Sequence, residues 1–217
     1  TLGKTICNKF YTSCQSYGVQ KESTLSLIDL SKINNLLAEF NEYASALYEA
    51  AQDDQKMAQC VRLINDVQKY GYNDAANGYS NMVDLGGIIN STYSVIGDDG
   101  SALEALESCV AYSVKGSDRK SSSGLSTYFP VCVQGSSELS IFKGIAISPY
   151  YASFCDLVAY SGSSHGSTDD FDGSEWFGDN SFFWNDDYSY DYTEDSSSYG
   201  DDFSGWIDYW GSETEED

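Results

Sequence analysis

The stretch Thr24–Leu30 reads TLSLIDL and runs directly into SKINNLLAEFNEYASAL, which ends at Leu47. Apolar and small residues alternate in the first part, a pattern that predicts a β-strand. In the second part apolar residues recur every three or four positions, as on one face of an α-helix: Ile33, Leu36, Leu37, Phe40, Tyr43, Ala44 and Leu47. Ser31 is the predicted N-cap of that helix. The stretch therefore predicts an α/β fold in which a strand leads into a long amphipathic helix.

The same periodicity predicts further helices around this stretch. The first is Thr1–Tyr17, in which Leu2, Ile6, Phe10 and Cys14 recur every four positions. A second helix is capped by Asp53 or Asp54. Three more are predicted at about Asn81–Ile96, at Ser101–Lys115 and from Pro149 to about Tyr160. The Gly86-Gly87 pair destabilises the helix predicted from about Asn81 to Ile96 by about 1 kcal/mol per glycine. Gly124–Val133 is predicted as a strand that Pro130 interrupts, and Ser136–Ile147 fits a strand or a helix. The expected total is five or six helices with two or three strands.

Charge divides the chain into two unequal parts. From Ser161 onward there are 17 acidic residues and no Lys or Arg, whereas the first 160 residues hold all 11 bases. A phosphate backbone is bound through clusters of Lys and Arg, so this distribution excludes nucleic-acid binding. No run approaches the ~20 apolar residues of a membrane span. The absence of a start Met and of a signal peptide predicts that the chain is a fragment.

The acidic segment 162–217 consists mainly of Ser, Gly, Asp and Glu with interspersed aromatics, and Ile207 is its one aliphatic residue. Such a composition predicts disorder. His165 is the only histidine of the chain. A Cys155/His165 pair or a Ser163/His165/Asp169 triad would require rigid positioning that a loop does not give, so we interpret His165 as an exposed linker residue. Thr168–Asp179 resembles a calcium loop only loosely, because Thr168 stands at the first ligand position.

Other candidate residues have structural interpretations. The six cysteines (Cys7, Cys14, Cys60, Cys109, Cys132 and Cys155) show no C-x-x-C pair, and a single histidine leaves no usual zinc spacing, so buried free thiols are predicted. Asp29 and Asp84 stand where helices begin and are predicted N-caps. Tyr128 and Phe129 are predicted core residues. Lys115, Arg119 and Lys120 form a basic loop that is expected to be solvated, and that an Arg/Lys-specific enzyme would cut.

Four stretches in this order carry a family resemblance: TLSLIDL at Thr24–Leu30, MVDL at Met82–Leu85, GLSTYFP at Gly124–Pro130 and ISPYYASF at Ile147–Phe154. Together they resemble the C-terminal half of a clostripain-family cysteine peptidase, over residues 1 to about 162. The resemblance implies the C-terminal part of a caspase-like α/β fold: residues 1–30 end the α/β region, 31–161 form a helical subdomain with strand 124–133, and 162–217 are a disordered acidic tail. The strands are expected to flank or join a sheet supplied from upstream.

The same resemblance implies a function for a larger protein. Family members cut after Arg or Lys with a Cys and a His, and the segments carrying that pair have no counterpart in this chain. We therefore expect an upstream catalytic segment, substrates with Arg or Lys, a secreted or cell-surface bacterial location, and no catalytic, cofactor or metal residue here. Calcium is only a family-level expectation. The alternative is a non-catalytic interaction module that retains part of the peptidase fold; catalytic segments encoded before Thr1 would decide between them.

Overall fold

The computed structural model describes residues 2–71, 73–74, 78–97, 99–131 and 136–161. Seven α-helices lie in these ranges: α1 (Leu2–Ser16), α2 (Ile33–Ala50), α3 (Asp54–Asn65), α4 (Leu85–Ile96), α5 (Ser101–Cys109), α6 (Ser136–Ile145) and α7 (Pro149–Ser161). Three short 3₁₀ helices occupy Gln20–Glu22, Leu30–Lys32 and Ser117–Arg119. The described chain is thus mainly helical, as expected.

Seven short strands complete the described part: β1 (Thr24–Ile28), β2 (Lys69–Tyr70), β3 (Asn73–Asp74), β4 (Gly78–Tyr79), β5 (Met82–Asp84), β6 (Val110–Lys115) and β7 (Ser126–Tyr128). They form an antiparallel pair β1–β6, a three-stranded antiparallel sheet in the order β2–β5–β7, and a β3–β4 pair. Helices with a few antiparallel strands confirm the predicted mixed α/β class. The strand predicted over 124–133 is shorter in the structure, where β7 ends at Tyr128, and residues 132–133 lie outside the description.

The core is built around α2, which packs against α7, α5 and α4. Its buried face carries Leu36, Phe40, Tyr43, Ala44 and Leu47, five of the seven residues that the helical periodicity selects. The rings of Phe40 and Tyr151 lie 5.2 Å apart between α2 and α7, and Phe129 and Phe154 lie 6.2 Å apart beside them. This continuous aromatic and aliphatic core includes Tyr128 and Phe129, as the sequence predicts.

Strand β6 corrects the sequence analysis, which predicted one helix over Ser101–Lys115. The helix ends at Cys109, and the next six residues pair with β1. Val110 and Val114 are four residues apart, a spacing that fits a helix face and alternate positions of a strand equally well, so the pattern did not distinguish them. The strand partner of β1, which was expected from a segment upstream of Thr1, therefore comes from this chain.

Helix α1 (Leu2–Ser16) lies within the predicted range Thr1–Tyr17 but does not have the predicted buried face. Its buried residues are Cys7 and Cys14, whereas Leu2, Ile6 and Phe10 are 74, 54 and 37% exposed. Residues four apart on a helix differ by about 40° around the axis. The predicted line therefore rotates by about 120° between Leu2 and Cys14, and only its last residue reaches the side that packs on β1 and β6.

Candidate functional site

All five described cysteines are free and buried: Cys7, Cys14, Cys60, Cys109 and Cys155. This confirms the predicted buried thiols for these positions; Cys132 lies outside the described residues. Burial raises the pKa of the Cys60 thiol from its ordinary value of 9.0 to about 11. Burial also raises the pKa of Cys155, whose Sγ lies 4.0 Å from the Tyr128 carbonyl oxygen. A nucleophilic cysteine needs access and a lowered pKa, so these two thiols have the opposite properties.

A buried polar cluster, the Asp84 cluster, joins β2, β5, α4 and the loop after the Ser117–Arg119 turn. It consists of Asp84, Tyr70, Ser122 and Ser123. Asp84 is 1% exposed and ends β5, and its Oδ1 accepts a hydrogen bond from the Gly87 N–H at 2.8 Å. Its Oδ2 accepts from the Ser123 N–H and from the Tyr70 hydroxyl, both at 2.7 Å. The predicted N-cap role of Asp84 is therefore confirmed, and the carboxylate also holds two other elements.

Tyr70 connects the carboxylate to the serine loop. Its hydroxyl lies 2.7 Å from Ser122 Oγ as well as from Asp84. Because a hydroxyl has one hydrogen, Tyr70 donates to the carboxylate and accepts from Ser122. Burial raises the pKa of Tyr70 above its usual range; the Asp84 carboxylate acts in the same direction, whereas the bond from Ser122 opposes it. Tyr70 thus stays a neutral donor at physiological pH.

Gly86 and Gly87 explain how α4 can start so close to this loop. A Cβ on Gly86 would overlap the Ser123 side chain, whose Oγ accepts from the Gly86 N–H at 3.0 Å. A Cβ on Gly87 would overlap the side chain of Val67. The two glycines that weaken the helix by propensity therefore permit the close approach of two neighbouring segments.

Arg119 corrects the expectation of a solvated basic loop. Its Nη1 donates to the Lys69 carbonyl oxygen at 2.6 Å, and its Nε donates to the Glu22 carbonyl oxygen at 3.0 Å. The guanidinium also lies 5.4 Å from the ring centroid of Tyr70, a cation–π geometry. Lys115 and Lys120 are exposed, as expected. Arg119 binds two backbone carbonyls because its fork of donors spans the gap between β2 and the chain before β1.

Two other predicted helix starts have aspartate caps. Asp29 caps the 3₁₀ turn Leu30–Lys32 through a 3.0 Å bond from the Ser31 N–H, so Ser31 is inside that turn and not the cap of α2 as predicted. The neighbouring serine lowers the pKa of Asp29 through hydrogen bonds from its side chain and backbone. Asp53, and not Asp54, caps α3 by accepting from the N–H groups of Gln55 and Lys56. These carboxylates have structural partners and no reacting neighbour in the described chain.

The remaining candidates lie outside the described residues. They are His165, Ser163 and Asp169, the loop Thr168–Asp179, and the rest of segment 162–217. Within the described ranges there is no group of three or more His, Cys, Asp or Glu residues that could hold a metal ion. None of the described helices is long and apolar enough to cross a membrane.

Sequence reasoning identified Asp84 but missed the other members of its cluster, Tyr70, Ser122 and Ser123, and it missed the contact of Arg119 with Tyr70. Tyr70 precedes Asp84 by 14 residues and the serines follow it by almost 40, so no local pattern connects them. The available signal was the Gly86-Gly87 pair, since glycines at the start of a helix indicate close approach of another backbone or side chain.

Comparison with known proteins agrees with the resemblance of the four stretches. No curated protein and no solved structure matches the chain at a significant level. The family model described as the clostripain family matches residues 1–210, nearly the whole chain. The chain belongs to the clostripain family of peptidases.

Proposed function

We propose that this chain is the C-terminal structural portion of a secreted bacterial cysteine endopeptidase that cleaves after Arg or Lys, and that it is inactive alone. The catalytic Cys and His, and the acidic pocket that binds the Arg or Lys side chain, come from a segment upstream of Thr1. This chain supplies the helical core, contributes strands to the sheet of the whole enzyme and carries the acidic segment. No cofactor is assigned to it.

The chemistry of the described thiols is the observation that carries this proposal. A cysteine peptidase needs a thiolate, which attacks the peptide carbonyl, and an imidazole within hydrogen-bond reach. The five described thiols are buried, and burial raises the pKa of Cys60 and Cys155. A thiol held neutral in a core supplies neither the charge nor the access that the reaction requires. Family membership supports a role in proteolysis, and the cysteine environments favour a nucleophile outside the described residues.

The Asp84 cluster supports a scaffolding role for the described part. Its carboxylate oxygens accept from three donors on three different segments, and its tyrosine is a neutral donor. Satisfied polar networks of this kind fix one arrangement of the segments that they join. A rigid scaffold is what a catalytic segment needs if its reacting groups are to be held in place.

The test compares the chain of residues 1–217 with the protein as its natural source produces it. Both are assayed on Arg-type and Lys-type fluorogenic peptides, with a reductant and after alkylation. We expect no cleavage by the chain alone, and thiol-dependent cleavage by the natural protein. Cleavage by the chain alone would overturn the proposal. A natural protein that begins at Thr1 and cleaves neither peptide would also overturn it and favour the non-catalytic interaction module.

Cysteine variants of the natural protein provide the internal control. Cys60→Ala and Cys155→Ala remove buried thiols, so both variants are expected to keep kcat within about twofold of the unchanged protein while their melting temperatures fall. Loss of kcat in a variant that remains folded would show that the thiol reacts. A chelator included in the same assay tests the calcium expectation, because a calcium-dependent enzyme loses activity with it and regains activity on calcium addition.

A further inference from the structure

All 11 Lys and Arg residues of the chain lie among the residues that the structure describes. The surroundings of every peptide bond that follows a Lys or Arg are therefore defined. Exposed loop tips are the preferred sites of proteolytic nicking, whereas helices and paired strands hold their backbone in hydrogen-bonded structure. A peptidase that cleaves after Lys or Arg should therefore first cut the bond that lies at such a tip.

Ten of the 11 bases lie in regular secondary structure. Five belong to α1, α3 and α6, two to β2 and β6, and three to the 3₁₀ helices. Even Lys4, near the start of α1, is engaged, since its Nζ lies 5.4 Å from the centre of the Tyr112 ring. Lys120 is the remaining base, and it lies outside every described helix and strand.

Lys120 and Ser121 are the two central residues of a tight turn. The Ser122 N–H donates to the Arg119 carbonyl oxygen at 3.1 Å, which closes a β-turn over residues 119–122. Lys120 has φ −61° and ψ −33°, the values of the first central residue of a type I turn. Both central residues are exposed, and Ser122 is buried. The Lys120–Ser121 bond is therefore the tip of an exposed loop.

Exposure of the lysine alone does not distinguish this bond. Lys115 is also exposed, but it ends β6 and pairs with Thr24. The next residue, Gly116, is buried, and its N–H donates to the Ser23 carbonyl oxygen at 2.8 Å. Opening the bond after Lys115 would therefore break the β1–β6 pair, whereas opening the bond after Lys120 requires movement of one loop.

Hydrogen bonds anchor this loop on both sides of its tip. Before the tip, Arg119 binds the two carbonyl oxygens described above, and Gln68 Nε2 donates to the Asp118 carbonyl oxygen at 2.9 Å. After the tip, Ser122 and Ser123 belong to the Asp84 cluster. A peptidase acts on the opened form of such a segment, so its rate follows the fraction of molecules in which the loop is open.

We propose that loop 116–123 is a proteolytic modification site, in which the Lys120–Ser121 bond is cut first and the Asp84 cluster limits the rate by holding the loop closed. The enzyme is any peptidase that cleaves after Lys, so the inference goes beyond the proposed function and does not depend on it. Water adds across the bond: Lys120 ends in a carboxylate, Ser121 begins with an ammonium group, and the proton lost by the new acid is taken up by the new amine.

The two products, residues 1–120 and 121–217, share the core and should stay associated. Strand β5 of the first product pairs with β7 of the second. Helix α2 of the first packs against α7 of the second, where the rings of Phe40 and Tyr151 lie 5.2 Å apart. The cut therefore releases the loop from its turn and leaves the packing of the core in place.

Limited digestion of the full chain, residues 1–217, with trypsin tests the site, because trypsin cleaves after Lys and Arg. Mass spectrometry of early time points identifies the first cut. We expect the products 1–120 and 121–217, which elute together from a size-exclusion column in buffer and separate in denaturant. A first cut after any other base, or no cut in the folded chain, would overturn the proposal.

A matched pair of lysine variants checks the assignment of the bond. Lys120→Gln removes the side chain that trypsin recognises at the tip, and Lys115→Gln removes an exposed lysine of β6. We expect the rate of the first cut to fall at least tenfold in Lys120→Gln and to change less than twofold in Lys115→Gln. Equal rates in the two variants would overturn the assignment.

A matched pair of tyrosine variants checks the control by the Asp84 cluster. Tyr70→Phe removes the hydroxyl that joins Ser122 to Asp84, and Tyr112→Phe removes a hydroxyl that donates to Asn8 on α1. We expect cleavage after Lys120 to become about tenfold faster in Tyr70→Phe, because loss of a buried hydrogen bond raises the open fraction, and to change less than twofold in Tyr112→Phe.

The pattern of cuts separates opening of the loop from unfolding of the chain. Faster cleavage of Tyr70→Phe that remains confined to the bond after Lys120 supports the proposal. Faster cleavage distributed over the other bases would show that the variant unfolds as a whole, and equal rates of Tyr70→Phe and the unchanged chain would show that the cluster does not hold the loop. Either result would overturn the proposed control.

Discussion

The helical core around α2 and the layer made of α1, β1 and β6 differ in how completely they bury their apolar residues. In the core, Phe40 and Leu47 are 1 and 0% exposed. In the layer, Leu2 and Ile6 are 74 and 54% exposed, and the sheet has two strands with outward backbone groups. One part of the chain therefore buries its apolar side chains within itself, whereas the other leaves apolar side chains of α1 exposed.

The largest expected contrast comes from the same substitution in both parts. Phe40→Ala removes a ring from the packed core and should lower the free energy of unfolding by about 3–5 kcal/mol. Phe10→Ala removes a ring from the surface of α1 and should change the free energy of unfolding by less than about 1 kcal/mol in the chain alone. Urea unfolding measures both. A comparable loss for Phe10→Ala would mean that α1 already packs as core.

The polar groups of the Asp84 cluster find their hydrogen-bond partners within the described chain. Removing the Asp84 carboxylate tests how much this cluster stabilises the fold. Asp84→Ala leaves the Tyr70 hydroxyl and two backbone N–H groups without their acceptor, which should cost roughly 2–4 kcal/mol of unfolding free energy. Asp53→Ala, which removes the cap of α3 at a more exposed position, should cost about 1 kcal/mol. Denaturant unfolding of the two variants measures both changes in unfolding free energy. Equal losses of unfolding free energy would contradict a special role for Asp84.

Alkaline pH should weaken the core through Cys60. Its pKa is about 11 in the folded chain against an ordinary 9.0, so the folded state binds the proton more tightly. The stabilisation is fully present below pH 9 and is lost as pH rises towards 11, with a total of about 2–3 kcal/mol, because one pKa unit corresponds to about 1.4 kcal/mol. Thermal melting from pH 8 to 11 measures this slope. Cys60→Ala should make the slope shallower without abolishing it, because the pKa values of Cys155 and Tyr70 are raised as well. An unchanged slope would refute the assignment to this thiol.

Two glycine substitutions give the smallest expected effects, with opposite signs. Gly86→Ala would bring a Cβ into the Ser123 side chain at the start of α4, so it should destabilise the chain by about 1–3 kcal/mol. Gly144→Ala lies in α6, where a Cβ meets no neighbour, and should stabilise the chain by about 0.5–1 kcal/mol. Melting temperatures suffice for the comparison. Stabilisation by Gly86→Ala would mean that the loop carrying Ser123 moves to accommodate the added Cβ at little cost.

Local patterns predicted much of this fold, and their failures have physical causes. The burial of the α2 face, the caps at Asp53 and Asp84, and the start of α7 at Pro149 follow from periodicity and capping chemistry within a few residues. Strand β6 was missed because the spacing of Val110 and Val114 fits both a helix face and alternate positions of a strand. The exposed flank of α1 was missed because residues spaced four apart drift by about 40° per step around the helix, so Leu2, Ile6, Phe10 and Cys14 do not share one face.

The candidate site was less predictable than the fold. Asp84 was recognised as a cap, but its contacts to Tyr70 and Ser123 depend on tertiary approach of segments far apart in sequence. The same holds for Arg119, which was expected in solvent and instead bonds the carbonyl groups of Glu22 and Lys69. A charged residue in a loop has no local signal for a backbone acceptor 50 or more residues away.

The most direct test of the account is to find which cysteine reacts. The natural protein is treated with a thiol-directed peptide inhibitor carrying Arg or Lys, and the labelled peptide is located by mass spectrometry. The account predicts one labelled cysteine upstream of Thr1, and no label on the six cysteines of this chain. Stoichiometric labelling of any of those six, with matching loss of peptide cleavage, would contradict it.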